Sequence, residues 1–448
     1  MKKNYILVAF ATLAFTSYSQ VSYYNDLGIL FSKDDTRGTA RFNAMSGAFG
    51  ALGGDISASD INPAGGVVAK KSNISVSTNI RNGQYTSNYY GSSINGQDTD
   101  FDFSQLGAVL VFDSAFSSDW NRFAMTFNYS LKKNFSKSYA AEGNSDFLYY
   151  DEHFSDSQTA GQFDRSLNQY ISSNSNGRTR VFNLGFSAVH KKKLFVGASV
   201  KLHDLEFSRA TFFNERNDDI DGNILNIEEY TETYIQGNGV SLNLGFIYKL
   251  NKNIRIGLAY ETPTWYQEVI EDYYEELYME GINNLNINRY LNGSEDSSLF
   301  SYRSASRITA SGAFIFGKQG LLSIDYTYRD FKNIKFENGD FFEENNNFNT
   351  KYRNTQTLNI GTEWRFDNMS IRGGVSYEKD PNLSIGGGTN EDNIKSYSFG
   401  LGYNFGNSQF DLSYTNSKNT DFYSIYNTSD LNIENNVSQI SGTLTFNL

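Results

Sequence analysis

Between Tyr397 and Phe405 the odd positions carry large apolar side chains (Tyr397, Phe399, Leu401, Tyr403, Phe405), and the even ones carry small or polar side chains (Ser398, Gly400, Gly402, Asn404). A period of two belongs to a strand with one face in an apolar medium and one in a polar medium. The pattern recurs along the chain. Phe123, Met125, Phe127, Tyr129 and Leu131 oppose Ala124, Thr126, Asn128 and Ser130, and Val240, Leu242, Leu244, Phe246 and Tyr248 oppose Ser241, Asn243, Gly245 and Lys249. Ile254, Ile256, Leu258 and Tyr260 likewise oppose Arg255, Gly257, Ala259 and Glu261. Such repetition, joined alternately by short turns and long polar connections, implies an all-β transmembrane antiparallel barrel. Leu401 then faces lipid and Gly400 faces the lumen, so Gly400→Ser is expected to be mild.

The N-terminus reads as a secretory signal peptide over 1–19: Lys2 and Lys3, an apolar run from Tyr5 to Phe15, then Ser17-Tyr18-Ser19. No later stretch approaches the ~20 apolar residues of a spanning helix. With no Cys, neither a disulfide nor a thiolate metal site stabilises the fold. Aromatics are 16% of the chain, which suits interfacial girdles, and the three prolines (Pro63, Pro263, Pro381) seldom interrupt a ladder. A net charge of −12 excludes a nucleic-acid partner.

Fourteen strands are expected near 72–81, 103–113, 121–133, 179–190, 193–213, 235–250, 252–270, 302–316, 320–336, 353–367, 368–379, 394–405, 408–416 and 437–447. Turns at the periplasmic end alternate with extracellular loops at about 82–102, 134–178, 214–234, 271–301, 337–352, 380–393 and 417–436. Within the longest loop, the spacing of Phe163, Leu167, Tyr170 and Ile171 predicts a short helix over the barrel mouth. Mid-strand charges such as Arg255, Asp325 and Arg365 fall on the lumen face. Fourteen strands ~4.8 Å apart and tilted ~40° enclose a cylinder roughly 28 Å across, narrowed by side chains to roughly 10–15 Å, enough for an acyl chain and a plug.

Residues 20–70 do not read as strand. They run through Arg37-Gly38-Thr39-Ala40-Arg41, the small-residue stretch Gly47-Ala48-Phe49-Gly50-Ala51-Leu52-Gly53, and Asn62-Pro63-Ala64-Gly65 just before the first strand. Small residues permit close backbone packing, so the segment is expected to fold back into the lumen as a hatch. The barrel then occupies 71–448. Carried on these motifs, the whole mature chain resembles the FadL/TodX family of outer-membrane transporters for hydrophobic compounds, and its Asn, Tyr and Phe richness is similar to Bacteroidota members. The resemblance implies capture by extracellular loops, an apolar pocket beside the hatch, and lateral release through a gap at an inward kink of the third strand. Asn62, Pro63, Ala64 and Gly65 are the hatch and gating residues it implies. Strand 121–133 contains no Gly or Pro to mark such a kink.

Other motifs carry less. Gly47–Gly53 lacks the strand and helix context of a dinucleotide loop. The twelve residues from Asn217 to Glu228 match a calcium loop, with Gly222 sixth and Glu228 last, giving Asn217, Asp219, Asp221 and Glu228 as candidate ligands of a structural calcium. His153 lies in the long loop, His190 beside a turn, and His203 precedes Asp204, but no Ser partner follows from spacing. No catalytic residue is assigned. The acidic run 271–280 reads as a solvated loop. The expected function is an outer-membrane channel for passive uptake of long-chain fatty acids or other hydrophobic small molecules, with no cofactor beyond the candidate calcium. It is expected to be a monomer surrounded by outer-membrane lipid and inserted by the barrel-assembly machinery. The alternative is an accessory or shuttle barrel of type IX protein secretion.

Overall fold

Fourteen antiparallel strands close into one barrel. The computed structural model describes residues 16–114, 119–146, 148, 152–153, 161–163, 165–282, 288–382, 393–423 and 431–448; most of the leader lies outside them. The first six strands are β1 (Asn73–Tyr89), β2 (Ser92–Asp113), β3 (Trp120–Asn134, then Lys137–Gly143), β4 (Arg165–His190), β5 (Leu194–Asp218) and β6 (Ile224–Lys249). Next come β7 (Ile254–Glu261, then Trp265–Ile282), β8 (Asn288–Arg303, then Arg307–Phe316), β9 (Gly320–Arg329, then Lys335–Glu337) and β10 (Thr355–Phe366). The last four are β11 (Met369–Glu378), β12 (Ile394–Asn404), β13 (Ser408–Tyr423) and β14 (Leu431–Asn447). β1 pairs with β14 from Asn73↔Asn447 to Asn88↔Asn432, which closes the cylinder. The break in β7 falls at Pro263, which has no N–H to donate.

The facing pattern follows the alternation. Val240, Leu242, Leu244, Phe246 and Tyr248 are exposed around the barrel, while Ser241 and Asn243 are fully buried inside it. Tyr397, Phe399, Leu401, Tyr403 and Phe405 repeat this on β12. Arg255 points inward and donates to the Leu52 carbonyl at 2.8 Å, and Asp325 accepts the Gly50 N–H at 2.8 Å. The exposed apolar belt is that of a membrane-spanning barrel. No helix among the described residues is long and apolar enough to cross a membrane.

Four expectations are corrected. The stretch 82–102 is a continuation of β1 and β2 to a two-residue turn at Tyr90-Gly91, where both φ angles are positive. Much of 134–178 and 214–234 likewise belongs to β3, β4, β5 and β6, because ladder bonding continues beyond lipid while the apolar alternation that reveals it stops. No helix forms over 165–171: Arg165 to Ile171 pair with Asp218 to Phe213 of β5, and the ladder overrides the three-and-four spacing. Residues 271–280 continue β7, with Glu271 only 4% exposed. Gly400 is a poor site for a neutral change, since a Cβ there would lie 2.4 Å from the Ala44 Cβ.

Leu401 occupies the middle of the β12 lipid row. Leu401→Arg should lower the free energy of barrel unfolding by ~2–4 kcal/mol in urea titrations, while lumen-facing Ser396→Thr should leave it within about 0.5 kcal/mol. Equal losses would contradict the facing assignment.

Candidate functional site

Residues 23–69 run inside the barrel and touch its wall on nearly every side. They contain most of helix α1 (Thr16–Ser32), helix α2 (Ala40–Ala44), helix α3 (Ala58–Ile61) and a 3-10 turn (Pro63–Val68). Thr39 caps α2, its hydroxyl accepting the Phe42 N–H at 3.1 Å. Where α2 meets the wall the strands carry glycine: a Cβ at Gly361 or Gly374 would lie 2.5 or 2.6 Å from Met45 backbone atoms. Small residues on both sides let backbone approach backbone.

Asn62, Pro63, Ala64 and Gly65 lie together at the end of the short turns. Pro63 holds Asn62 extended, at φ −133° and ψ 107°. The Asn62 amide donates to the Gly50 carbonyl at 2.8 Å and the Phe246 carbonyl at 3.0 Å, and its oxygen accepts the Ala64 N–H at 3.1 Å. Gly197 and Gly53 fit tightly against Ala64 and Gly65. Asp60, which sequence reasoning passed over, ties α3 to the wall. Its carboxylate accepts from Asn183 at 2.7 Å, Asn128 at 2.9 Å and Ser130 at 3.3 Å, while its carbonyl accepts from Lys201 at 2.8 Å and Arg307 at 2.9 Å. Lys201, fully buried, also pairs with Glu261 at 2.8 Å. Arg307 and Arg329 reach Asp34 at 3.1 and 2.9 Å. Burial works against ionised Asp34, but Arg329, Lys132 and Arg307 hold its carboxyl well below the usual range. On the opposite wall Arg41 pairs with Glu363 at 2.7 Å, and Glu363 with Arg372 at 2.6 Å. Charged residues at inward strand positions were the available signal: Lys201, Arg307, Arg329 and Glu363 each meet a hatch group.

One stretch of wall lacks a ladder. β2 and β3 pair from Asp113↔Arg122 only to Gln105↔Ser130, leaving Ser92–Ser104 of β2 bonded on the β1 side alone. Beyond Ser130, β3 bends inward without Gly or Pro. Leu131 is buried rather than lipid-facing, the register slips between Leu131 and Lys133, and the strand breaks at Phe135-Ser136. The hatch fills part of the vacated edge. The Asp35 N–H donates to the Lys132 carbonyl at 3.0 Å, and the Asp35 carboxylate pairs with Lys133 at 2.9 Å. Asp102 of β2, 2% exposed, draws in Arg178 at 3.1 Å, Arg37 at 3.3 Å and Asn134 at 3.0 Å.

The loop end of the lumen has two unlike halves. In one, α1 packs into an aromatic cluster. Phe31 meets Phe207 and Phe135 edge-on at 5.5 and 5.6 Å, Tyr24 meets Phe341 at 5.1 Å, and Gly28 nests against Phe348 and Phe336. The hydroxyls of Tyr24 and Tyr23 donate to Glu271 at 2.6 and 2.9 Å. Burial and the Glu271 charge push both phenols up. The other half holds a cavity of about 350 Å³ between α1, the 33–37 loop, the bend of β3 and strands β11 to β14. Asp26 of α1 is exposed on this cavity, and desolvation by the surrounding lumen wall pushes its carboxyl up to about 6, Arg209 opposing the rise.

The remaining candidates are dispersed. Asn217 lies opposite Leu225 and Glu228 opposite Asn214, so the β5–β6 hairpin draws the two ends of the twelve-residue loop apart. Asp219 instead binds its own turn, accepting from the Asp221 and Asn223 N–H groups at 2.9 and 2.8 Å. Among the described residues no three His, Asp or Glu side chains cluster as metal ligands would. His203 contacts Ser241 at 2.8 Å, but Asp204 faces the opposite side of the strand and pairs with Arg180 at 2.9 Å. His190 packs beside Trp120 at a short turn; the side chain of His153 lies outside the described residues.

No family model matches the sequence, and no curated protein matches it. Solved structures do. A FadL homologue from Pseudomonas aeruginosa is similar at 15% identity over 92% of this chain and 99% of its own, with a TM-score of 0.62. The toluene transporter TodX of P. putida is also 15% identical over 92% and 99%, at 0.56, and TbuX of Ralstonia pickettii is 17% identical over the same shares, at 0.53. The chain has the fold of the FadL/TodX transporters and is a multi-pass barrel of the outer-membrane kind.

Asn62→Ala removes two buried donor bonds and should weaken hatch docking by about 1–3 kcal/mol. Trypsin should then cut at Lys33, Arg37 or Arg41 faster, in a barrel that keeps its heat-modifiable mobility; an unchanged rate would show that Asn62 does not hold the hatch. A carboxyl raised from 3.8 to about 6 favours the protonated folded state, so the seat of α1 should be firmest near pH 4 and weaken as pH rises through 6. Hydrogen exchange of 23–31, corrected for intrinsic rates, should show more opening at pH 8 than at pH 5 in the wild type and no such difference in Asp26→Asn.

Proposed function

We propose that this protein is a passive outer-membrane channel that takes up hydrophobic small molecules as a FadL/TodX-type transporter, with long-chain fatty acids among its cargo. The observation that carries the reading is the unpaired edge of β2 at its lipid-facing end, around Phe101 to Ser104, beside a third strand that bends inward and is bonded there by the hatch residue Asp35. An unpaired strand edge within a membrane barrel is costly unless something satisfies or covers it. Movement of the 33–37 loop would uncover a slot leading from the lumen to lipid, and lateral exit spares an apolar cargo the aqueous periplasm. Asn62, Pro63, Ala64 and Gly65 would set the hatch in its closed form. The route needs no bond chemistry and no cofactor. The similar structures bear the names of channels and transporters, which supports this reading over the secretion shuttle.

Cells carrying Pro63→Leu or a deletion of 21–60 should differ from wild type in uptake of a labelled long-chain fatty acid and of labelled toluene, measured against cells lacking the protein. Wild-type uptake of both cargos by each variant, with a folded heat-modifiable barrel, would overturn the gating role of the hatch. Absence of any uptake dependence on the protein, together with a stable complex with a larger secretion barrel, would favour the shuttle instead.

A further inference from the structure

The aromatic cluster of the lumen and its free volume lie side by side. The aromatic cluster around Phe31, Phe207 and Phe336 is occupied by the protein's own α1. The cavity of about 350 Å³ beside it has an amphipathic wall: hydroxyl and amide side chains on β11 to β14, among them Ser376, Ser396, Thr415, Ser417, Asn435 and Gln439, alternate with apolar surface from Ile29, Leu30, Ile394 and Val437. Tyr85 and Tyr423 add aromatic faces, and Lys133 to Ser136 bring the cavity to the inward bend of β3, beside the open edge.

Charge does not mark this cavity for an ion. Cationic and acidic side chains line it in equal number, and most are already paired with one another. Lys33 bonds Asp380 at 2.8 Å, Lys137 bonds Asp421 at 2.6 Å, and Asp35 takes Lys133 and Arg37 at 2.9 and 3.1 Å. Paired charges are rigid walls with little net field. Hydroxyls and amides that both donate and accept, interleaved with aromatic rings whose faces pack on C–H bonds, match a neutral head group bearing several hydroxyls. We infer that the cavity holds the polar head of a neutral amphiphile, a hydroxyl-rich lipid of glycoside type, poised next to the opening between β2 and β3. This deepens the channel reading and rests on it: the cargo is hydrophobic in its tail and hydrogen-bonding in its head.

Arg209 supplies the competing chemistry. It donates to Ser175 at 3.3 Å, lies 5.2 Å above the Phe207 ring and has no carboxylate within ion-pair distance among the described residues, so a carboxylate head would seek it.

The deciding experiment compares octyl β-glucoside, octanoate and toluene, each below any micellar concentration, on the full protein in lipid nanodiscs, with empty nanodiscs subtracted. Calorimetry should show saturable octyl glucoside binding at least tenfold tighter than octanoate. The triple variant Ser396→Ala, Thr415→Val, Ser417→Ala, which leaves the ion pairs in place, should weaken glucoside binding about tenfold, while Arg209→Gln should leave it within about twofold. Octanoate binding more tightly and losing its affinity in Arg209→Gln would overturn the neutral head in favour of a carboxylate. Protein-dependent uptake of labelled toluene by cells, with no saturable glucoside site in nanodiscs, would overturn the head-group inference and leave the channel reading standing; failure of all three to bind, together with no protein-dependent uptake of toluene by cells, would remove the channel reading itself. Because the three probes are ranked on the wild type, the test survives a variant that does not fold.

Discussion

A strand in hydrocarbon must have its N–H and C=O groups bonded on both sides, because no water is present to take them. Thirteen of the fourteen wall contacts, the β1–β14 closure included, meet that demand with ladders running through the lipid-facing region. The β2–β3 contact meets it only as far as Ser130. Past that point β3 turns inward and its Lys132 carbonyl is bonded by the hatch, not by another strand. Residues 33–37 thus take up one of the backbone groups that β3 presents where it has left β2, and on the proposed channel reading the loop is part of what closes the wall. On that reading, placement of the hatch and closure of the barrel are coupled, and a force on the loop acts on the opening.

The hatch is seated by two unlike means. Near α2 the fit is steric: glycines on β10, β11 and β12 receive Ala44 and Met45 so closely that a methyl group could not be added without displacement. Near α3 it is electrostatic, with Asp60, Lys201, Glu261, Arg307 and Asp34 exchanging bonds across the interface. Buried charge is a weak source of net stability, since desolvation offsets most of the attraction, but breaking one member leaves the others uncompensated. Such a network favours one docked register over near neighbours, which suits a plug that must return to the same place.

The lipid determined what could be read from the sequence. Wherever a strand crosses hydrocarbon, its outward residues must be apolar, and the fourteen strands were legible from that alternation alone. Where β1, β2, β4, β5 and β6 rise past the membrane, the outward face need no longer be apolar, and residues such as Gln84 to Gln97 lack the lipid-facing alternation, although their ladder is unbroken. The bend of β3 was hidden for another reason: it comes from a register slip at Leu131, and the only trace in sequence is that Lys132 and Lys133 interrupt the alternation. For the calcium-like loop the spacing was legible but the placement was not. Its spacing fits a helix–loop–helix site, but a hairpin draws Asn217 and Glu228 apart, so the same residues make a turn. Asn62 to Gly65 were visible through the constraint Pro places on its predecessor, whereas Asp60, one residue before Ile61, could be found only once inward polar groups of β3, β4, β5 and β8 were known to converge on it.

The divided lumen bears on how cargo and hatch interact. A bare hydrocarbon entering from the loop end finds the aromatic cluster already packed by α1, so it gains burial only by displacing Leu27, Ile29 and Phe31, and one set of apolar contacts replaces another with little net gain. A molecule that hydrogen-bonds with the walls of the neighbouring cavity needs no such exchange. It adds contacts beside Asp26 and the 33–37 loop while α1 remains seated. Asp26 faces that cavity, and its surroundings disfavour the charge it carries at neutral pH. A neutral hydrogen-bonding head beside that carboxylate would partly resolvate it and change the balance between docked and released hatch by its differential interaction with the two states. The cavity half of the lumen is thus the place where cargo can act on the loop that, on the channel reading, helps to close the wall.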